Sequence, residues 1–145
     1  MEQSLVPKLG FDSLIEAQQN FGDTGAFSNT DLEILHSFFG EHFILAAELL
    51  DKCCITEYKL ANNLRNIFKI VTSKEQYTIF DNINFCHCSI FRYQVLEMKN
   101  AITCKHVLAV RIGKSMGKVF VESVTASQLV DFLNEQLNFI EPDNE

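Results

Sequence analysis

The chain has 145 residues, and 47% of them are hydrophobic, which is sufficient for one folded domain with its own core. A formal net charge of −7 argues against a protein that binds nucleic acid by itself, because phosphate binding needs a concentrated excess of Lys and Arg. The 13 Phe residues, in a chain without Trp, either fill the core or leave apolar surface for a partner.

The N-terminal region does not resemble a targeting segment. Residues 1–25 lack the basic start and continuous apolar run of a signal peptide, and the longest apolar stretch, 43–47, is too short to span a bilayer. We therefore expect a cytosolic or nuclear protein, in which thiols stay reduced. Since five cysteines is also an odd number, a disulfide framework is a poor explanation of their spacing.

Three helical segments are predicted in the first third of the chain. Residues 11–21 place apolar side chains at helical spacing. Thr30 and Glu33 form a capping-box pattern that begins a second helix, "TDLEILHSFF". Gly40 breaks the pattern, and "EHFILAAELLDK" then forms a third helix that ends near Asp51.

The middle of the chain changes to strand periodicity. Residues 55–60, 65–71 and 76–80 are short, rich in aromatic and β-branched residues, and separated by turn sequences, which predicts an antiparallel meander. "HVLAVRIGK" then predicts a helix of about two turns, closed by Gly113 acting as a helix cap.

A last helix is predicted near the C-terminus. Thr125 and Gln128 form a capping box before "LVDFLNEQLNFI". The apolar stripe of this helix comprises Leu129, Phe132, Leu133, Leu137 and Ile140. The predicted fold class is therefore α+β, a small antiparallel meander with helices on both sides in sequence.

Two pairs of potential metal ligands follow the meander. Cys86 and Cys88 stand one residue apart, and Cys104 and His106 repeat that spacing after fifteen residues that can fold back as a loop and an edge of the sheet. In an extended or knuckle-like turn, residues i and i+2 project to the same side, so each pair can converge on one ion. Structural zinc takes four thiolate and imidazole ligands in a tetrahedron. The pattern predicts one structural zinc ion.

The sequence also predicts where the second ligand pair and the nearby residues lie. Cys104 should lie just before the helix and His106 in its first turn, with Thr103 as a possible cap. His87, between two ligands, should point away from the ion as a packing or surface residue. Cys53 and Cys54 have no second pair to join, and we interpret them as packing residues.

The sequence argues against an enzymatic function. "GKS" at 113–115 resembles the end of a phosphate-binding loop, but Leu108 occupies the position where that loop needs glycine. No C-x-x-C motif is present, which argues against a thiol oxidoreductase. Four protein ligands would also leave no open position for a catalytic water on zinc. We predict a protein without catalytic residues.

The C-x-C and C-x-H pairs resemble the SWIM zinc finger, which carries them on a ββα unit. A wider resemblance covers roughly residues 30–137. In "AAELLDKCCIT", "CHCSIFRYQVL", "ITCKHVLAV" and "SVTASQLVDFL", the chain is similar to the small SWIM-domain subunits of the Shu complex. Family members carry C-x-C-P where this chain has Ser89 and Ile90, which should loosen the turn without removing a ligand. On this basis residues 1–29 form a variable segment with a possible helix, 30–140 one SWIM domain with its finger at about 76–114, and 141–145 an acidic tail.

The resemblance implies a function beyond what composition indicates. Shu-complex proteins assist homologous recombination by pairing with RecA-like recombinase paralogues and promoting the strand-exchange filament on single-stranded DNA. It implies a nuclear adaptor that meets DNA only through its complex, with no small-molecule substrate and no membrane. Two other hypotheses stay open: a SWIM finger that binds nucleic acid or a ubiquitin-pathway partner directly, and a zinc or redox enzyme.

Overall fold

The computed structural model of the protein describes residues 2–52, 54–60, 66–131 and 134. The predicted α+β class is confirmed. The helices and strands are α1 (Glu2–Thr24), α2 (Asn29–Phe39), α3 (Glu41–Lys52), β1 (Cys54–Leu60), β2 (Asn66–Val71), β3 (Gln76–Phe80), a π-helix (Phe91–Glu97), α4 (Lys105–Ser115) and β4 (Phe120–Val124). Helical residues follow again from 126.

The N-terminal helices differ from the prediction in their first residues. α1 starts well before residue 11, includes Pro7 and Gly10, and continues to Thr24. The predicted cap of α2 at Thr30 is wrong: Ser28 is the N-cap, and its hydroxyl accepts a hydrogen bond of 3.0 Å from the Asp31 N–H. The earlier start satisfies one of the free N–H groups of the first turn.

The sheet has four strands in the order β3-β2-β1-β4. The predicted meander is confirmed, since β1 pairs with β2 and β2 with β3, both antiparallel. β4 was not predicted. It pairs with β1 in parallel, in a register that places Thr56 beside Phe120 and Tyr58 beside Glu122, so the sheet is mixed.

The main core lies between one face of the sheet and the helices. Leu14 and Leu35 from α1 and α2, Phe68 from β2 and Leu108 from α4 are fully buried there. Of all the helices, α4 is the one whose burial is most extensive in the described part of the chain. Its buried residues are His106, Val107, Leu108, Ala109, Val110, Ile112 and Gly113.

Gly113 does not close α4, and the prediction that it caps the helix is wrong. The helix continues through Ser115, and the backbone turns at Gly117, whose φ is 71°. A Cβ atom at position 113 would lie 2.8 Å from Leu50 Cδ2 of α3. Position 113 thus lies where the Leu50 side chain of α3 packs closely on α4, and not where the helix ends.

One carboxylate is buried in the sheet. Glu57 of β1 is 3% exposed, and its Oε2 accepts a hydrogen bond of 2.8 Å from Asn66 Nδ2 on β2. Lys114 Nζ of α4 lies 4.0 Å from the same oxygen and 3.8 Å from Asp81 Oδ1. The lysine of the "GKS" sequence thus pairs with two carboxylates of the protein itself. The buried carboxylate of Glu57 requires such a partner.

Within the described ranges, no helix combines the length and the apolar character that a membrane span requires.

Candidate metal centre

The four predicted ligands come together. Cys86, Cys88, Cys104 and His106 are all buried, and the three Sγ atoms and one imidazole nitrogen lie within 4.8 Å of one another. They form the group that could hold a metal ion among the residues that the structure describes.

The separations within this cluster fit a tetrahedral zinc site. His106 Nδ1 lies 3.6 Å from Cys86 Sγ and 3.8 Å from Cys104 Sγ. With Zn–S near 2.3 Å and Zn–N near 2.05 Å, two ligand atoms on a tetrahedron stand about 3.6 Å apart. These two separations are thus those that such an ion requires, and Nδ1 is the imidazole atom that faces the two thiols.

The ionisation of the three thiols depends on their mutual contacts. The hydrogen bond with Cys104, followed by that with Cys86, holds the pKa of Cys88 well below its ordinary value, and the Phe91 N–H donates to Cys88 Sγ at 3.4 Å. The contact with Cys104 raises the pKa of Cys86. For Cys104, the contact with Cys86 lowers the pKa, but the contact with Cys88 and burial outweigh it and raise the pKa to about 12. One thiolate is therefore favoured without a cation, and three together need one.

The two ligand pairs lie on different kinds of backbone. Cys86 and Cys88 stand in the irregular segment after β3, as predicted for a pair that follows a strand. Cys104 is the N-cap of α4, with extended φ and ψ of −108° and 172°, and His106 lies in the first turn. The helix dipole favours negative charge at this end, so a thiolate is stabilised there.

The residues between the two pairs form a helix, whereas the sequence predicted a loop and a sheet edge. Residues 91–97 are π-helical, with the Met98 N–H bonded to Tyr93 O at 2.8 Å. Phe91 is 1% exposed and packs its ring edge-on against Phe85, with centroids 5.5 Å apart. Burying this aromatic ring holds the intervening segment against the core.

Asn84 joins the two ligand-bearing segments. Its Nδ2 donates a hydrogen bond of 3.0 Å to Ile102 O, and its Oδ1 accepts one of 2.6 Å from Thr103 Oγ1. The prediction that Thr103 caps α4 is therefore wrong, because its hydroxyl is used in this contact. Two hydrogen bonds across the site fix the position of one ligand pair relative to the other.

Tyr77 of β3 packs against the imidazole ligand. Its ring stacks on His106 with centroids 3.9 Å apart and an interplanar angle of 30°. It also contacts His87, with centroids 5.1 Å apart. His87 is half-buried and lies outside the cluster of ligand atoms, and its burial lowers its pKa.

The remaining cysteines lie outside the cluster or outside the described residues. Cys54, predicted to pack in the interior, is exposed, because it is the first residue of β1, where the partner across the ladder, Val71, is exposed as well. The interpretation of Cys53 falls outside the described residues.

Sequence reasoning missed Asn84 and Tyr77. Neither residue belongs to the spaced ligand pattern. A polar residue just before the first cysteine pair is the only signal that could have indicated Asn84, whereas the stacking of Tyr77 depends on the tertiary fold.

Comparison with known proteins places this chain in a family. The protein is 31% identical over 99 residues to human zinc finger SWIM domain-containing protein 7, an alignment that covers 68% of this chain and 71% of the human protein. It is 26% identical over 123 residues to the Danio rerio protein of the same name, covering 85% and 88%. A homolog of that protein in Dictyostelium discoideum is 26% identical over 124 residues, covering 82% and 78%.

No family model matches the chain, and no solved structure matches it significantly. The identification therefore depends on the relatives and on the Cys3His cluster, which agree with each other and confirm the resemblance to SWIM proteins. By its similarity to the human protein over most of both chains, this protein belongs to the family of zinc finger SWIM domain-containing protein 7.

Proposed function

We propose that this protein is a non-catalytic, zinc-binding adaptor subunit of a Shu-type complex. In this proposal it pairs with a RecA-like recombinase paralogue in the nucleus and promotes assembly of the strand-exchange filament during homologous recombination. The observation that carries the proposal is the closed cluster of four buried ligand atoms, held by a chain of this family.

Zinc is the ion that suits the donor set. Three thiolates and one imidazole are the soft and borderline ligands of structural zinc, and Mg²⁺ or Ca²⁺ would require oxygen ligands. Cys86, Cys88, Cys104 and His106 would hold one ion. When bound, the ion supplies a fixed cross-link between the segment after β3 and the start of α4, and it offsets two of the three negative charges of the thiolates.

The full coordination of the ion by four protein ligands also supports an adaptor role. Four protein ligands occupy every position of a tetrahedral ion, and all four are buried, so no position is left for a substrate or an activated water. Family resemblance supplies the proposed partner, and the net charge of −7 supports an arrangement in which the partner contacts DNA.

The first test is co-expression with a RecA-like recombinase paralogue from the same organism. The wild-type chain should co-purify with the paralogue and carry one equivalent of zinc. Cys104→Ser and His106→Ala should lose both the metal and the partner, because losing one ligand disorders the surface that the ion organises. Cys54→Ser, a matched cysteine outside the cluster, should retain both.

The second test concerns DNA. The isolated chain should bind single-stranded DNA only weakly at about 0.15 M salt, as measured by fluorescence anisotropy. Submicromolar binding under these conditions would contradict the adaptor role and support direct recognition of nucleic acid.

In the co-expression test, normal recovery of the partner by a zinc-free variant would show that partner binding does not depend on the zinc finger. That result would refute the mechanism proposed here.

A further inference from the structure

β4 forms an open edge of the sheet. The strand pairs with β1 on one side, and within the described residues no strand pairs with its other side. The outward N–H and C=O groups of such a strand are a template for a further strand. From Phe120 to Ser123 every residue is exposed, and Val124 alone is buried.

β3, which forms the opposite edge of the sheet, is more deeply buried than β4. In β3, Thr78 and Ile79 are buried, and the chain continues directly into the metal-binding segment. β4 has no proline, and Glu122 is the one charged residue within it. Edge strands that must stay unpaired are usually blunted by charges, proline or covering loops.

The side chains of β4 indicate what kind of element would cover it. Phe120 is 67% exposed and Val121 is 57% exposed, and successive residues of a strand point to opposite faces of the sheet. A helix that packed on one face would cover only one of them. An additional strand laid along the edge lies beside both residues and also satisfies the outward main-chain groups.

Charge favours a different protein over a second copy of this chain. Two copies would each bring a net charge of −7, and self-pairing of β4 would bring two Glu122 side chains to the same edge. We infer that β4 is an interaction edge to which a partner protein adds an extended segment, with apolar residues beside Phe120 and Val121 and a Lys or Arg opposite Glu122.

The identity of the partner rests on the proposed function, in which it is a RecA-like recombinase paralogue. Hydrogen exchange measured on the co-purified complex tests the inference directly. Amides of residues 119–124 should exchange at least about tenfold more slowly in the complex than in the free protein, because the added strand accepts hydrogen bonds from the outward N–H groups.

Surface variants provide the second measurement. Val121→Lys and Phe120→Lys should each lower recovery of the paralogue about tenfold or more, since a lysine in an apolar strand interface is buried without a partner. Leu96→Lys is the matched control: Leu96 is an apolar residue that is 52% exposed on the π-helix, far in sequence from β4. All three variants should keep one equivalent of zinc and a cooperative thermal transition.

The outcomes separate this inference from the proposed function. A stable complex in which residues 119–124 gain no protection, or in which Leu96→Lys but not Val121→Lys loses the partner, overturns the inference and leaves the adaptor role intact. A wild-type dimer that Val121→Lys dissociates would assign the edge to a second copy and also overturns it. Failure of the wild-type chain to bind any paralogue removes the proposed function and the partner of β4 with it.

Discussion

The ring of Tyr77 stacks on the ring of His106 with a centroid separation of 3.9 Å, although the two residues come from β3 and from the first turn of α4. This contact fixes the plane of the imidazole and leaves Nδ1 facing Cys86 Sγ and Cys104 Sγ. A strand outside the ligand pattern thus orients a ligand.

Replacing Tyr77 should therefore weaken metal binding without removing a ligand. Loss of a group that orients a metal ligand typically costs about 10- to 100-fold in affinity, so we expect a decrease of that order for Tyr77→Ala. Tyr77→Phe keeps the ring and should bind zinc as the wild type does. Competition with a chromophoric chelator measures both affinities, and equal affinities for Tyr77→Ala and the wild type would show that the stacking is incidental.

Asn84→Ala should destabilise the protein by about 1 to 3 kcal/mol, because it leaves Ile102 O and Thr103 Oγ1 without their partner. Denaturant unfolding of the zinc-loaded protein measures this change. Asn100→Ala, an exposed asparagine in the same region, is the control and should change the free energy of unfolding by less than about 0.5 kcal/mol. Similar values for the two variants would contradict the role assigned to Asn84.

Gly113→Ala should destabilise the protein even though alanine favours helix by roughly 1 kcal/mol. The new Cβ would lie 2.8 Å from Leu50 Cδ2, and overpacking of this kind costs about 1 to 3 kcal/mol. Gly22→Ala lies within α1, where a Cβ meets nothing within 4 Å, and it should stabilise the protein by up to about 1 kcal/mol. Opposite signs in thermal unfolding are the expected result, and stabilisation by both changes would show that the Leu50 side chain turns away from the new methyl group.

Removal of the metal should lower the midpoint of thermal unfolding by more than about 10 °C. Structural zinc contributes apparent energies on the order of 10 kcal/mol in small fingers, and a fraction of that is sufficient for such a shift in a domain of this size. Differential scanning calorimetry before and after chelation, with zinc added back as the control, measures it. An unchanged midpoint in protein shown to be metal-free would mean that the cluster does not support the fold.

The ligands and the meander could be predicted from sequence because their signals are local. The C-x-C and C-x-H motifs identify the metal ligands and their spacing, and short runs of β-branched and aromatic residues indicate the strands. β4 could not be predicted in the same way, because its partner β1 lies about sixty residues earlier and parallel pairing leaves no turn signal between the two strands. Gly113 wrongly indicated the end of a helix, because glycine often ends helices, whereas here it lies within α4 against Leu50 of α3.

The burial of α4 limits the use of the zinc finger as an independent module. The helix has 11 residues, so it is about 16 Å long, with His106 near one end and Lys114, beside the buried Glu57, near the other. Its interior residues are covered by the sheet and by α3, so a peptide cut out around the four ligands would expose most of that apolar surface. Small self-contained fingers fold on zinc alone, but this one is built into the domain core. We therefore expect that it cannot be grafted onto another protein as an independent module, and that disorder at the ligands would reach the sheet through α4.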